Sequence, residues 1–229
     1  MKMRKLVPYG VLVLLAGCAP VFSVHPLYTR ESITFEERLL GTWLVDANKP
    51  EETCEFVRLE AGAAGHLPVE LQDQAALCYR VNLTSRDGKG SVFACLVKLH
   101  DRLFLDVMPS ELPLGERDSG SKEAQLNATF FLRLHTFVRV NLSGDQLKLG
   151  LTDHDRLQEL IQAEPKAVPY TMVKEKPLLT LAKDHTAEEH PLLTASTPEL
   201  QAFVTKYADD RRLFTEREPL ARKASSTAK

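Results

Sequence analysis

Between Leu40 and Leu151 apolar and polar residues alternate with a period of two, the pattern of strands that bury one face. The alternation predicts seven strands, at 41–46, 53–60, 76–85, 91–99, 103–108, 129–142 and 146–151. Three of the joints carry turn chemistry. Arg86-Asp87-Gly88-Lys89-Gly90 supplies glycines for positive φ, while His100-Asp101-Arg102 and Ser143-Gly144-Asp145 join the next pairs tightly. Consecutive hairpins make an antiparallel meander, which can cover its edges by closing into a barrel. Two longer loops, 61–74 and 109–127, interrupt the run. The second is polar and glycine-bearing, the kind of loop that carries specificity on a β scaffold.

After the strands the period changes to that of a helix. Thr152 offers a cap, acids fill the first turn, and Leu157, Leu160 and Ile161 mark one face. Thr197-Pro198-Glu199 opens a second helix near 197–208, with Leu200, Phe203, Val204 and Tyr207 on its docking face. An eighth strand has two candidates, 168–173 and 178–181, and Pro169 and Pro177 favour an edge or a loop for either. The polar end from about Glu216 is expected to fray. The fold class is mainly β: an antiparallel meander, barrel or half-barrel, with one or two C-terminal helices.

The first residues have a different logic. Lys2, Arg4 and Lys5 precede an apolar stretch from Leu6 to Ala16, too short to span a bilayer comfortably, and Leu15-Ala16-Gly17-Cys18 follows. Leu-Ala-Gly-Cys resembles the lipobox of bacterial lipoproteins. The resemblance implies a diacylglycerol on the Cys18 thiol, cleavage before Cys18, and a second anchor chain on the new amine. Two or three acyl chains, at about 0.8 kcal/mol per buried methylene, hold stably to a membrane. Ala19 at the next position, where an aspartate would retain such proteins in the inner membrane, points by the same resemblance to the outer membrane of a cell with two. The chain then divides into a signal peptide at 1–17, a lipidated tether at 18–34, a barrel-like domain at 35–168 and a C-terminal extension at 169–229.

Charge and composition narrow the partners. The whole chain has 229 residues and a net charge of −2, and removal of 1–17 takes away three cations, which leaves the body at −5. An acidic body has no electrostatic reason to bind nucleic acid or an anionic membrane, so attachment falls to the lipid. With Cys18 lipidated, Cys54, Cys78 and Cys95 remain, an odd number for an oxidising compartment. Cys78 lies opposite the apolar Tyr79, Val81 and Leu83. Cys54 lies opposite Val57 and Leu59, although Phe56 disagrees, and Cys95 shares a face with Phe93, Val97 and Leu99. Cys54–Cys78 is therefore the expected disulfide, with Cys95 a buried thiol.

Ahead of the first strand, Gly41-Thr42-Trp43 resembles the Gly-x-Trp entry motif of lipocalins and related calycins. In that family the tryptophan packs across the closed end of an eight-stranded barrel and the glycine permits the bend into strand one. Phe35 with its neighbouring acid fits too, one residue nearer than usual. Thr152-Asp153-His154 only echoes the family's second motif, and its late arginine finds no place in this sequence. The resemblance covers roughly residues 35–151 and implies a calycin-like barrel that binds a lipid or another small apolar ligand.

No nucleophile elbow, HExxH, Walker loop or GxGxxG is present, so an enzyme is not expected, and neither is a cofactor or a metal. Acids around His154 are explained by the helix dipole they precede. One constellation stands out. Along 131–140 the even positions are apolar apart from Thr136, and the odd positions read Phe131, Arg133, His135, Phe137, Arg139. Arg133, His135, Phe137 and Arg139 are candidates for gripping an anionic amphiphile, with guanidinium groups on its head and rings on its chain. A plainer explanation is that the tail helices cover this face. Two functions from different classes follow: a non-enzymatic envelope lipoprotein that binds a small amphiphile, and a structural or assembly lipoprotein that presents a surface to an envelope protein.

Overall fold

A computed structural model describes residues 21–60, 67–86, 88–110, 133–175 and 188–224. Chain order begins with β1 (Phe22–Ser23), β2 (Ile33–Thr34), β3 (Gly41–Leu44), β4 (Thr53–Arg58), β5 (Cys78–Ser85) and β6 (Gly88–Leu99). It continues through β7 (Arg102–Pro109), β8 (Thr136–Ser143), β9 (Gln146–Thr152), α1 (His154–Ala163), β10 (Tyr170–Glu175) and β11 (Glu188–Leu193). The last elements are α2 (Thr197–Lys206), β12 (Phe214–Glu216) and β13 (Leu220–Arg222). Short 3-10 helices stand at Glu37–Leu39 and Val69–Leu77.

All seven strands that the alternation predicts form, as β3 to β9, and each pairs antiparallel with the next. The eighth stave comes from the far end of the chain. In β13, Leu220 and Ala221 pair with Leu147 and Gln146 of β9, while Ala221 and Arg222 pair with Leu44 and Trp43 of β3. Three residues thus close the meander into an eight-stranded antiparallel barrel. This corrects two expectations. The chain up to Lys223 is fastened rather than frayed, because the open edges of β3 and β9 both need hydrogen-bond partners. The strand near 170 also forms, but β10 joins β11 and β1 in a separate three-stranded sheet.

Each face of the barrel wall has its own core, and this arrangement decides where every candidate residue ends up. Inside the barrel lie Trp43, Cys54, Phe56, Tyr79, Val81, Leu83, Ala94, Leu96, Leu105, Val138, Val140, Leu147, Leu151 and Leu220, above Leu39. Outside it, Phe93, Val97, Phe104, Met108, Phe137 and Phe214 are buried under α1, α2, the Val69–Leu77 turn and the segment after Val21. In α1, Leu157, Leu160 and Ile161 face this second core, and in α2 Leu200, Phe203 and Val204 do so. Both predicted helices therefore exist, each capped one residue away from the expected threonine. Asp153 accepts from the Arg156 N–H at 2.8 Å, and Glu199 accepts from the Ser196 N–H at 2.8 Å.

The tether segment is packed from its first described residue. Val21, Leu27 and Tyr28 are buried, and Ile33 pairs with Val97 through β2. In the sequence only residues 19 and 20 separate Cys18 from Val21. None of the described helices is long and apolar enough to cross a membrane.

Candidate functional site

The closed end of the barrel is built around Trp43. Its indole N–H donates to the Leu39 carbonyl at 2.9 Å, which ties the barrel floor to the Glu37–Leu39 turn. On its ring sits the Arg222 guanidinium, 4.4 Å from the ring centroid, and the same group donates to the carbonyls of Leu40, at 2.8 Å, and Arg38. Gly41 makes room for it. Its φ is +109°, and a Cβ there would lie 3.0 Å from the Arg222 guanidinium. Alongside, Phe35 stacks on Tyr79 at 4.9 Å, Arg58 covers Phe35 at 3.8 Å, and Phe56 meets Tyr79 edge-on. The Tyr79 hydroxyl accepts from the Glu36 N–H at 2.8 Å and donates to the Glu36 carbonyl at 3.1 Å, and burial pushes this phenol up to about 12. Gly41 and Trp43 were legible in the sequence. Arg222 was not, because no periodic pattern surrounds it.

Leu39, Trp43, Tyr79, Ala94, Leu96 and Leu147 have no solvent exposure. Eight strands enclose an interior about wide enough for side chains to fill it. Elsewhere in the inner core Leu83 and Leu151 each keep 8% exposure, and Val92 and Val107 are half-buried.

The basic-aromatic stripe is not an open surface. Phe137 is buried in the outer core, and Arg133 and Arg139 are half-buried, Arg139 with a carboxylate oxygen of Asp209 at 3.6 Å. His135 is buried as well, its Nδ1 2.7 Å from Oδ1 of Asp106. The outer core covers this face of β8 at Phe137, and the segment after Val21 covers it at His135.

Asp106 has no solvent exposure, and its other carboxylate oxygen accepts from the Leu27 N–H at 2.6 Å. Ser23 and His135 exchange both backbone hydrogen bonds, at 2.8 and 2.9 Å. The edge of His135 meets the Tyr28 ring at 5.9 Å, and the Tyr28 hydroxyl has no hydrogen-bond partner among the described residues. Burial first, then the Asp106 and Glu70 carboxylates, raises the Tyr28 phenol above its ordinary value. A histidine beside an acid suggests proton transfer, yet the Ser23 hydroxyl donates to the His25 carbonyl, and Ser23 and Asp106 are both sealed. The arrangement is a fastening: it fixes the segment after Val21 to the barrel wall. Sequence reasoning missed Asp106 because its partners are 29 and 79 residues away.

The cysteines are paired differently from expectation. Cys78 and Cys95 are directly opposite in the β5–β6 ladder, 4.4 Å apart between Cα atoms, and form the disulfide, while Cys54 is the free thiol inside the barrel. Cys78 does lie on the face away from Tyr79 and Val81, as the alternation says. That face is the floor of the outer core, which it shares with Cys95. Burial pushes the Cys54 thiol up to about 12, well away from a reactive thiolate.

His154 and His190 are brought together, Nε2 to Nδ1 at 3.1 Å, with Asp155 at 3.3 Å from the other nitrogen of His154. One ring N–H donating to the other nitrogen satisfies this pair. Among the described residues no three potential metal ligands converge. Cys18, the lipidation candidate, and the 111–127 part of the predicted specificity loop lie outside the described residues.

Fold and site together define a closed eight-stranded antiparallel barrel with a second core on its outer wall. Comparison with known proteins finds no matching family model, no matching curated protein and no matching solved structure.

Proposed function

We propose that this chain is an envelope lipoprotein, anchored through acyl chains on Cys18, whose filled barrel serves as a rigid body that presents a protein-interaction surface. The lipobox at 15–18 carries the anchoring half of the reading. The packing around Trp43 supports the other half: Arg222 lies on its ring, and Phe35, Phe56 and Tyr79 pack on one another beside it. Outer-membrane placement rests on Ala19, and the reading is non-enzymatic because the buried Asp106–His135 pair is spent on fastening. Arg222, a late arginine that the sequence alone left unplaced, lends support to the calycin resemblance of Gly41 and Trp43.

The test uses the full chain expressed in a bacterium. Labelled palmitate should enter the protein and co-sediment it with the outer membrane, and Cys18→Ala should abolish both. Native mass spectrometry of the detergent-released lipoprotein should give the mass of protein plus its own acyl chains. An unlabelled cytosolic chain would overturn the anchor, and a retained amphiphile would overturn the filled body.

A second reading has one observation in its favour. Leu83 and Leu151 keep residual exposure, and Val92 and Val107 are half-buried, so an acyl tail has apolar side chains of the inner core to lie against. The retained amphiphile of the same experiment is its signature.

A further inference from the structure

The small sheet that starts the described chain has a buried face and an open one. Its order is β1-β11-β10, with Ser23, Leu193 and Tyr170 in register on one face and Phe22, Leu192 and Thr171 in register on the other. Ser23 and Leu193 have no exposure, and Tyr170 packs against the outer core. On the opposite face Phe22 is 38% exposed, Leu192 is half-buried and Thr171 is exposed. Large exposed apolar side chains are few among the described residues: Phe22, Val57, Val69 and Met172. Of the four, Phe22 lies on the open face, four residues from Cys18, while Met172 shares the Tyr170 face at the sheet's outer edge.

Covalent reach then restricts the body. Consecutive Cα atoms are about 3.8 Å apart, so the Cα of Val21 stands within about 11 Å of that of Cys18, and the Cα of Phe22 within about 15 Å. Those residues cannot swing on a loose leash. Val21 is buried, Ser23 exchanges both backbone hydrogen bonds with His135, and the Val24 N–H donates to the Leu193 carbonyl at 2.9 Å. A chain pinned this close to its acyl anchor places whatever surrounds Phe22 against the headgroups. Phenylalanine and leucine gain from that boundary, and threonine tolerates it.

We infer that the open face of the β1-β11-β10 sheet, centred on Phe22 and Leu192, is seated on the lipid surface and fixes the orientation of the barrel over the membrane. The inference rests on the proposed lipidation of Cys18. It adds that the body has one membrane-facing side instead of tumbling on a tether.

The test is depth quenching in the full, lipidated protein. Phe22→Trp and, as a control on the barrel wall, Val57→Trp are expressed in a bacterium and purified. Each is reconstituted into vesicles of phosphatidylethanolamine and phosphatidylglycerol, with and without a doxyl-labelled phosphatidylcholine. Trp43 is sealed in the barrel and contributes the same background to both. Mass analysis of the N-terminal peptide first establishes the state of Cys18. With Cys18 lipidated, Phe22→Trp should be quenched at least twofold more strongly than Val57→Trp. Equal quenching of the two in lipidated protein would overturn the seat and leave the anchor standing. An unmodified Cys18 would overturn the anchor and the seat with it. A Phe22→Trp, Leu192→Asp variant, still folded by the emission of Trp43, should lose the excess quenching.

Discussion

Asp106 offers the sharpest test of how the segment after Val21 is held. Replacing it with alanine removes the acceptor for the Leu27 N–H at 2.6 Å and the partner of His135 at 2.7 Å, both in a site where the carboxylate has no exposure. Neither orphaned group has water to turn to. Leaving a buried hydrogen-bonding group unsatisfied costs about 1–3 kcal/mol, so the two groups orphaned by Asp106→Ala should together cost about 2–5 kcal/mol. For a marginally stable domain that is a large fraction of the whole stability. Urea unfolding followed through the single tryptophan, Trp43, measures it, and amide exchange at Leu27 locates it. Protection of Leu27 should fall further than that of residues inside the barrel, because the fastening goes before the barrel does. A loss under 1 kcal/mol, with Leu27 as protected as before, would refute the idea that this pair clamps the segment.

Arg222→Ala should destabilise by about 2–4 kcal/mol, the sum of a ring contact and charged hydrogen bonds, with a red-shifted Trp43 emission as the floor opens. Arg222→Lys should restore only part, since a lysine cannot fork to two carbonyls while lying flat on the indole. Cys95→Ala opens a 17-residue separation and should cost roughly 3 kcal/mol in denaturant, an effect that reductant reproduces in the parent and not in the variant. Cys54 should resist iodoacetamide in the native protein and react once in urea, because its thiol is sealed and its pKa is raised. Acid should act in part through Asp210. Burial pushes this carboxyl upward, but hydrogen bonds from Arg156 and from the Leu213 and Arg212 N–H groups outweigh that and hold its pKa below the ordinary 3.8. A depressed pKa stabilises the fold above the unfolded value and is lost as pH falls through the folded one, so Asp210→Asn should flatten the stability profile below about pH 4.

Alternation and turn chemistry are local, and on their own they determined β3 to β9, the hairpins between β5 and β9, and both helices. The Leu15–Cys18 run, with its resemblance to a lipobox, and Gly41-x-Trp43 are likewise legible, because each is a short run of residues with a fixed order. What the sequence left open was which side of each strand faces a core, and the tertiary structure answered that in β6, β7 and the start of β8 both sides do. A period of two sorts residues into two faces without saying what covers the second. Cys78 was correctly placed away from Tyr79 and still ended up buried, paired with Cys95 on the outer wall instead of with Cys54. Phe137 and His135 were correctly placed opposite Val138 and were then buried, Phe137 in the outer core and His135 against Ser23 and Tyr28. In β4 the disagreement between Phe56 and Val57 was the available warning, and the fold resolved it by turning Phe56 and Cys54 inward and leaving Val57 40% exposed. The barrel's closure was the least readable feature of all. Three residues of β13 are too few to show a period, and their role comes only from the two strand edges, some 180 and 75 residues back along the chain, that meet there.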